Sequence, residues 1–270
     1  MSMQELIRSR RSVRTFDGTP LRREDAERIL SFAEKVENPY ALPIQWKLLD
    51  RKTDRLSVPV IAGTDAYIAG KMRRAPHAEE AFGYTFEKVV LFAQSLGVGT
   101  TWIAGTMDRK GFEQAMGLAE GEVMPCVSPL GYPAEKMSLR ETLMRKGIKA
   151  DTRLAFENLF FDGSFARPLS SETAVELRPA LELVRLGPSA VNYQPWRAVV
   201  CGDRVHFYEK PGKTGADDGW DIRKIDLGIA LCHFELGAVE CGLHPVFCVE
   251  DPGLPDAGEL VYIASFRIEK

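Results

Sequence analysis

The chain has 270 residues, of which 45% are hydrophobic and 27% charged, and its net charge is −3 at neutral pH. This composition is that of a globular protein with a substantial core and argues against intrinsic disorder. The near balance of charges argues against nucleic-acid binding, since phosphate-tracking proteins carry a clear basic excess. The sequence shows no signal-peptide pattern and no long apolar run, which predicts a cytoplasmic protein that does not bind membranes.

The cysteines and histidines do not form a recognisable metal or disulfide pattern. The chain contains five cysteines without a C-x-x-C spacing: Cys126, Cys201, Cys232, Cys241 and Cys248. Their odd number and apolar neighbours predict buried thiols in a reducing compartment. The four histidines are scattered, so no metal site is predicted, and His233 is expected to be a hydrogen-bonded interior residue.

A short helix at the start of the chain leads into the stretch RSRRSVRTFDG at residues 8–18. Four arginines lie within seven residues there, and like charges this close repel each other unless an anion or a carboxylate lies between them. The first 154 residues are net basic and the remainder net acidic, which fits a small anionic ligand held by the first half. The alternative is that some of these arginines only pair with carboxylates such as Asp17.

Three segments of the first half are echoed in the same order in the second half. The pairs are TFDGTPLRREDAERIL (15–30) with FFDGSFARPLSSETAVEL (160–177), NPYALPIQWKLL (38–49) with GPSAVNYQPWRAVV (187–200), and YTFEKVVLFAQSLGVGTTWI (84–103) with IDLGIALCHFELGAVECGLHPVF (225–247). In each half an acidic helix start precedes an apolar strand and a long helix with a glycine after its last turn. We therefore predict two copies of one α+β unit, at residues 1–154 and 155–270.

Local patterns assign the main elements of these two copies. Strands are predicted at residues 46–50, 196–200, 204–210 and 259–268, and a Gly/Asp-rich loop at 211–221. Gln194 and Trp196 are expected to start a strand and pack the core, because the first copy keeps Gln45 and Trp46 at the matching place. Tyr84 and Glu87 lie one turn apart on a helix and are interpreted as part of an exposed face.

The residues that differ between the two copies indicate where a ligand binds. Only the first copy has the arginine cluster, and the second has the apolar AFENLFF at the matching place. Only the second copy has the small polar run PSAVNYQPW, where the first has PYALPIQW. If the copies pair as a pseudo-symmetric dimer, one of two equivalent clefts combines both specialised pieces and the other has neither.

The motifs RRSVRTFDG, PSAVNYQPW and LGVGTTWIAG together resemble the FMN-dependent nitroreductase family. The tandem arrangement resembles its single-chain subgroup, whereas other members build FMN sites at the interface of a homodimer. The resemblance implies an α+β, nitroreductase-like α/β/α fold whose two tandem copies form an intramolecular pseudo-dimer. It also implies that the chain acts as a monomer.

The resemblance implies three groups of FMN-binding residues. It places Arg10, Arg11, Ser12 and Arg14 on the phosphate, the ribityl chain and the pyrimidine edge of the flavin. It places Trp102, Ile103, Ala104 and Gly105 over the flavin near N5, and Ser189, Ala190 and Asn192 beside the dimethylbenzene and ribityl region. Further basic residues after Gly131 are candidates for the phosphate: Arg140, Arg145 and Lys146.

The resemblance also implies a reaction. NAD(P)H delivers hydride to the bound flavin, and a small-molecule acceptor, nitroaromatic or quinone, then takes the electrons in a ping-pong cycle that needs no catalytic side chain. Ala104 stands where several members carry an acidic residue, which leaves another flavin-dependent chemistry open. The alternative is a degenerate flavin-binding or sensing protein without physiological turnover, since one cleft lacks the specialised residues.

Overall fold

The computed structural model describes residues 1–170, 175–212 and 220–269. The predicted helix start at 171–174 and most of the predicted loop at 211–221 lie outside these residues. The helices are α1 (Met3–Ser9), α2 (Arg23–Lys35), α3 (Ala78–Ser95), α4 (Arg109–Met116), α5 (Leu139–Gly147), α6 (Arg178–Arg185) and α7 (Ile222–Glu240). The strands are β1 (Gln45–Asp50), β2 (Ala66–Arg73), β3 (Glu122–Val123), β4 (Val127–Leu130), β5 (Phe160–Asp162), β6 (Ser164–Pro168), β7 (Trp196–Cys201), β8 (Arg204–Glu209), β9 (His244–Cys248) and β10 (Val261–Glu269).

The chain divides into two compact units. We call residues 9–150 the N-unit, and residues 1–8 together with 151–270 the C-unit. The division inside the chain lies close to the predicted one after residue 154, but the sequence did not predict that the first eight residues belong with the second unit. The amide groups of Met3 and Gln4 donate hydrogen bonds to the carboxylate of Glu240, at 2.9 and 2.7 Å, which attaches the start of α1 to the end of α7.

The N-unit is organised around β2. This strand pairs antiparallel with β1 on one side, and with β3 and β4 at different ends of its other side. Trp46 of β1 lies opposite Gly70, and its ring packs on Phe82 and Phe86 of α3, with centroids 5.7 and 5.1 Å apart. Gln45, at the first position of β1, is exposed.

A second group of apolar residues forms a hydrophobic cluster in the N-unit. It contains side chains from β1, β2, β4 and α4 together with the loops between them. Its buried members are Leu49, Leu56, Val58, Tyr67, Ala69, Ile103, Phe112, Met116, Met124 and Val127. The sheet of the N-unit is thus covered by apolar groups and holds the loops that follow α3 in place.

The C-unit contains a six-stranded sheet in the order β6-β5-β7-β8-β10-β9. All neighbours are antiparallel except β5 and β7. Trp196 at the start of β7 is fully buried, as predicted, and Gly202 with φ 62° lies in the tight turn between β7 and β8. On α7, a Cβ at Gly237 would lie 2.8 Å from Leu183 of α6, so the glycine permits these two helices to pack closely.

The two units repeat a common arrangement, which confirms two of the three echoes in the sequence. In each, an antiparallel hairpin is followed by a long buried helix. Both helices end with a glycine in the left-handed region, Gly97 at φ 75° and Gly242 at φ 78°. The amides of Val98 and Leu243 then bond back into the last helical turn, each at 3.0 Å. This is the expected chemistry of a glycine C-cap.

The third echo, around the two Phe-Asp-Gly motifs, differs in structure. The second motif forms β5, which pairs parallel with β7, and Phe160 is fully buried. In the first motif, Thr15 and Phe16 make only isolated bridges, with Ala62 and Pro133. The segment before Phe160 is apolar and enters a sheet, whereas the segment before Thr15 carries arginines that cannot be buried in this way without counter-charges.

Interior polar groups follow the sequence predictions in part. All five cysteines are free thiols, but only Cys126 and Cys232 are buried as predicted, and Cys241 is exposed. His233 is fully buried with Nδ1 2.8 Å from the carbonyl oxygen of Leu183, which confirms its interior role.

Over the described ranges, no group of three or more His, Cys, Asp or Glu side chains could hold a metal ion. No helix in that part of the chain is long and apolar enough to cross a membrane.

Two glycines with similar φ values test the close approach of Gly63 to the backbone of Phe16 in the N-unit. Gly63 has φ 85°, and a Cβ there would overlap the carbonyl oxygen of Phe16, whereas Gly18 has φ 88° and open space around it. We expect Gly63→Ala to lower the free energy of unfolding by about 3 kcal/mol or more, and Gly18→Ala by about 1 kcal/mol, because only Gly63 adds a backbone clash to the conformational strain. Urea denaturation measures both values, and equal losses would contradict the predicted close approach.

Candidate functional site

The segment at residues 10–14 is anchored to the N-unit by its backbone. Ser12 forms a parallel bridge with Thr100, and the amide of Val13 donates to the carbonyl of Thr100 at 2.8 Å. The carbonyl of Arg14 accepts from the amide of Ala62 at 3.0 Å. Val13 is buried, so the arginines on either side project from a fixed backbone.

Arg10 is a buried cation with an incomplete set of partners. Only 5% of its side chain is exposed, and its Nε lies 3.8 Å from Oε1 of Glu87 on α3. The other oxygen of Glu87 accepts a hydrogen bond from Nε1 of Trp102 at 3.1 Å. Within the described residues, Nε and Nη1 of Arg10 have no hydrogen-bond partner. Burial lowers the pKa of Arg10, although Glu87 raises it, and an arginine nevertheless remains charged at neutral pH.

A second buried carboxylate, Glu141, lies near the arginines. Its side chain is 1% exposed, and Oε1 lies 4.0 Å from Nη1 of Arg11. The hydroxyl of Thr15 donates to Oε2 of Glu141 at 2.8 Å and accepts from the amide of Ser138 at 3.1 Å. Ser138 is the N-cap of α5 and accepts from the amide of Glu141. The capping residues of this helix therefore also fix a carboxylate beside the cluster.

Of the three basic residues of α5 named as candidates for the phosphate, Arg145 is the one close to the cluster, and Lys146 is exposed. As a neighbouring positive charge Arg145 lowers the pKa of both Arg10 and Arg14, in each case after the larger effect of burial. Arg140 is exposed and donates to the carbonyl of Pro59, at the edge of a cavity of about 450 Å³. The structure therefore does not bring Arg140 to the cluster, because it lies on a different face of α5 from Arg145.

The cluster holds more buried donors than its protein partners satisfy. Nε and Nη1 of Arg10 and Nη1 of Arg14 are buried without an acceptor in the described part of the chain. A buried donor without a partner is costly, and such groups are rare unless a ligand completes them. A phosphate offers several oxygen acceptors and a double negative charge, which suits guanidinium donors. These residues therefore fit the phosphate end of FMN.

The segment from Trp102 to Gly105 is divided between core and surface. The ring of Trp102 is half-buried and packs edge-on against Phe86, with centroids 4.7 Å apart. Ile103 is 3% exposed, and its amide and carbonyl both pair with Val127 at 2.9 Å, which gives it a structural role, while its predicted cofactor contact stays a prediction. Ala104 is half-buried and Gly105 exposed, and their cofactor role stays a prediction.

In the C-unit, the predicted loop at 188–194 has an unusual backbone. Val191, Asn192 and Gln194 have φ values of 47°, 60° and 53°, in the left-handed region that residues other than glycine rarely occupy. Val191 is β-branched and 75% exposed, so its own packing does not account for this conformation. Strain of this kind persists only where the surroundings impose it, and it is frequent at ligand sites.

Side-chain hydrogen bonds hold this loop in place. The hydroxyl of Ser189 accepts from the amide of Gln194 at 2.9 Å, and the amide of Leu154 donates to Oε1 of Gln194 at 2.9 Å. Nδ2 of Asn192 donates to the carbonyl of Thr152 at 3.0 Å. Gln194 is buried, which confirms its structural role. Two of the predicted cofactor residues, Ser189 and Asn192, thus also form the loop itself.

The third predicted loop residue, Ala190, bonds to a buried carboxyl group. Its amide lies 3.1 Å from both oxygens of Asp226, which is 3% exposed on α7. Burial raises the pKa of Asp226 well above its usual value, and the hydrogen bond from Ala190 lowers it. Asp221 and Glu209 raise the same pKa further, and Arg223 lowers it. The loop therefore rests on a carboxyl group that is held towards its protonated form.

Sequence reasoning missed the buried carboxyl groups that support these residues: Glu87, Glu141 and Asp226. Glu87 and Tyr84 were predicted on an exposed face, but they are 0% and 2% exposed, so that prediction is wrong. Because α3 is apolar on most of its surface, it has no polar face on which to place them. A single carboxylate inside the apolar run FEKVVLF was the available signal for Glu87, and the S-x-x-E spacing before α5 was the signal for Glu141.

The raised pKa of Asp226 predicts a pH-dependent effect on stability. The stabilisation from protonated Asp226 is fully present below its unfolded pKa, about 3.9, and is lost as pH rises through the higher folded pKa. We expect Asp226→Asn, which keeps an acceptor for the amide of Ala190, to be more stable than the wild type at pH 8 and to lose this advantage towards pH 4. Urea denaturation across this range tests it, with the exposed Asp203→Asn as control, and a pH-independent difference would contradict the prediction.

Comparison with known proteins adds independent findings. Residues 2–238 match the model of a family described as "Putative TM nitroreductase". The crystal structure of a "putative nitroreductase" from Thermotoga maritima aligns with 100% of this chain and 95% of its own, at a TM-score of 0.64 and 23% identity. A nitroreductase-family protein from Clostridium novyi aligns with 50% of this chain and 87% of its own, at a TM-score of 0.43 and 18% identity. An FMN-dependent nitroreductase from Clostridium difficile aligns with 49% of this chain and 88% of its own, at a TM-score of 0.43 and 16% identity. No curated protein sequence matches the chain.

The family match extends from the start of the chain to the last turn of α7, so it covers the first repeat and most of the second. The Thermotoga maritima structure shares its fold over the full length of the chain, which confirms the α+β, nitroreductase-like fold implied by the motifs. The chain belongs to the TM nitroreductase family.

Proposed function

We propose that this protein is an FMN-dependent NAD(P)H oxidoreductase that reduces nitroaromatic or quinone-type acceptors. The observation that carries the proposal is the set of buried guanidinium donors on Arg10 and Arg14 that have no acceptor among the described residues. A phosphate group satisfies such donors, and FMN carries one at the end of its ribityl chain. Membership of a nitroreductase family supports a flavin as the molecule that bears this phosphate.

In this proposal the two repeats contribute different residues to one FMN. Arg10, Arg14 and Arg145 hold the phosphate and the pyrimidine side of the flavin, assisted by Arg11 and Ser12. The second repeat contributes loop residues, namely Ser189, Ala190 and Asn192. A single FMN per chain follows from the sequence, because only the first repeat has the arginines and only the second has the serine and asparagine of this loop.

The chain's own residues bind and orient in this proposal and do not take part covalently. When bound, FMN supplies the hydride chemistry that links NAD(P)H to the acceptor. The positive charges of Arg10 and Arg14 favour a negatively charged flavin, and they do so more strongly in a buried setting than in water. The fixed backbone at residues 10–14 and the anchored loop at 188–194 hold their side chains before the ligand arrives.

The direct test is to identify what the purified protein carries. The protein is denatured, and the released ligand is identified and quantified by chromatography. One FMN per chain supports the proposal, and two would contradict a single composite site. A protein that remains without flavin after incubation in excess FMN would contradict the cofactor assignment.

A turnover assay separates an enzyme from a flavin-binding protein. We expect NAD(P)H oxidation to depend on an added acceptor, with menadione as the quinone and a nitrofuran as the nitroaromatic. Stoichiometric FMN without acceptor-dependent oxidation would instead identify a degenerate binding or sensing protein.

Substitution of single arginines should affect FMN affinity differently inside and outside the cluster. We expect Arg14→Ala and Arg145→Ala to raise the Kd for FMN about 30-fold, because a lost charge-assisted hydrogen bond costs about 2 kcal/mol. Arg140→Ala is the control, since Arg140 lies apart from the cluster, and its Kd should stay within about twofold of the wild type. Quenching of flavin fluorescence measures all three values, and an equal effect of the three substitutions would contradict the assignment.

A further inference from the structure

The carboxylate of Glu87 is shared by Arg10 and Trp102. Oε1 lies 3.8 Å from Nε of Arg10, and Oε2 accepts the hydrogen bond from the indole of Trp102. The side chains of Glu87 and Arg10 are 0% and 5% exposed. Charges that are this well shielded from water are stable only when an opposite charge lies near them.

Comparison of the repeats shows that Glu87 occurs together with the arginine. Glu87 and Cys232 lie at the same distance before the C-cap glycines Gly97 and Gly242. Cys232 is fully buried, and the apolar AFENL at 155–159 replaces the arginine-bearing segment in the second repeat. The long helix therefore forms without a carboxylate at this position, so the fold alone does not require one.

We propose that Glu87 is the internal counter-ion of Arg10. It stabilises the buried guanidinium while no anion is bound, and it competes with an incoming anion for the same positive charge. Glu87 acts through Arg10 and is therefore a positioning residue. That the anion is the phosphate of FMN rests on the proposed function, whereas the counter-ion role itself requires only an anion at the arginines.

Removal of this charge has opposite effects on stability and on binding. Without an anion, the buried Arg10 loses the carboxylate beside it, so the protein unfolds more easily. An anion at the arginines is no longer repelled by the Glu87 carboxylate, so it binds more tightly. A residue needed only for packing would weaken both properties when replaced. The opposite signs therefore distinguish a counter-ion from a structural residue.

The experiment uses the full-length chain after removal of bound flavin. Glu87→Gln keeps nearly the same shape and an acceptor for Trp102, but it removes the charge. We expect its Tm to fall by about 5–10 °C without anion, and its Kd for inorganic phosphate and for FMN to fall about threefold or more. Thermal unfolding over a phosphate series and FMN fluorescence titration measure these changes. Glu87→Asp restores the charge and should return both values towards the wild type.

Glu122→Gln is the matched control, because Glu122 also pairs with a cation in the N-unit, Lys71, at 2.7 Å. It should change stability without changing the Kd for phosphate or FMN. A Glu87→Gln protein that binds anions as the wild type does, or more weakly, would overturn the proposal. If the wild type does not bind FMN but phosphate binding responds as expected, the proposed function fails and the counter-ion role stands.

Discussion

The buried guanidinium of Arg10 is the group on which the rest of the candidate site depends. A cation with 5% of its side chain exposed must be held by opposite charge and by hydrogen bonds, and its described protein partners supply only part of these. The backbone bridges of the arginine segment fix its position, Glu87 offsets its charge, and Glu141 does the same for the neighbouring arginines. The guanidinium donors of Arg10 and Arg14 that have no acceptor among the described residues are suited to an anion rich in oxygen acceptors.

The two repeats show how one scaffold supports different chemistry at equivalent places. The hairpins and the glycine-capped helices recur, so these features belong to the fold. The first repeat adds arginines and buried carboxylates to this scaffold. The second adds a strained loop whose serine, glutamine and asparagine side chains hold left-handed residues in place. Each addition carries a local cost in desolvation or strain, and each supplies residues that we propose bind FMN.

Local patterns were sufficient for β1, β7, β8 and β10, for the two long helices and for the recurrence of a hairpin before each of them, because alternation and glycine caps act over a few residues. The arginine cluster was recognisable because such crowding is unfavourable without a partner. The buried position of Glu87 and the left-handed φ of Val191 were not predictable, since both depend on contacts between segments distant in the chain. Helix spacing could have indicated that Arg145, and not Arg140, lies near the cluster. Glu141 and Arg145 are four residues apart on α5 and share a face, whereas Arg140 does not lie on that face.

The central claim is that a phosphate completes the buried arginine donors of the first repeat. The most direct measurement compares the affinity of the flavin-free protein for FMN with its affinity for riboflavin, which differs only in lacking the phosphate. The account predicts that FMN binds at least about 100-fold more tightly, because several charge-assisted hydrogen bonds are lost with the phosphate, and that added salt reduces this difference. Equal affinities for the two flavins would contradict it.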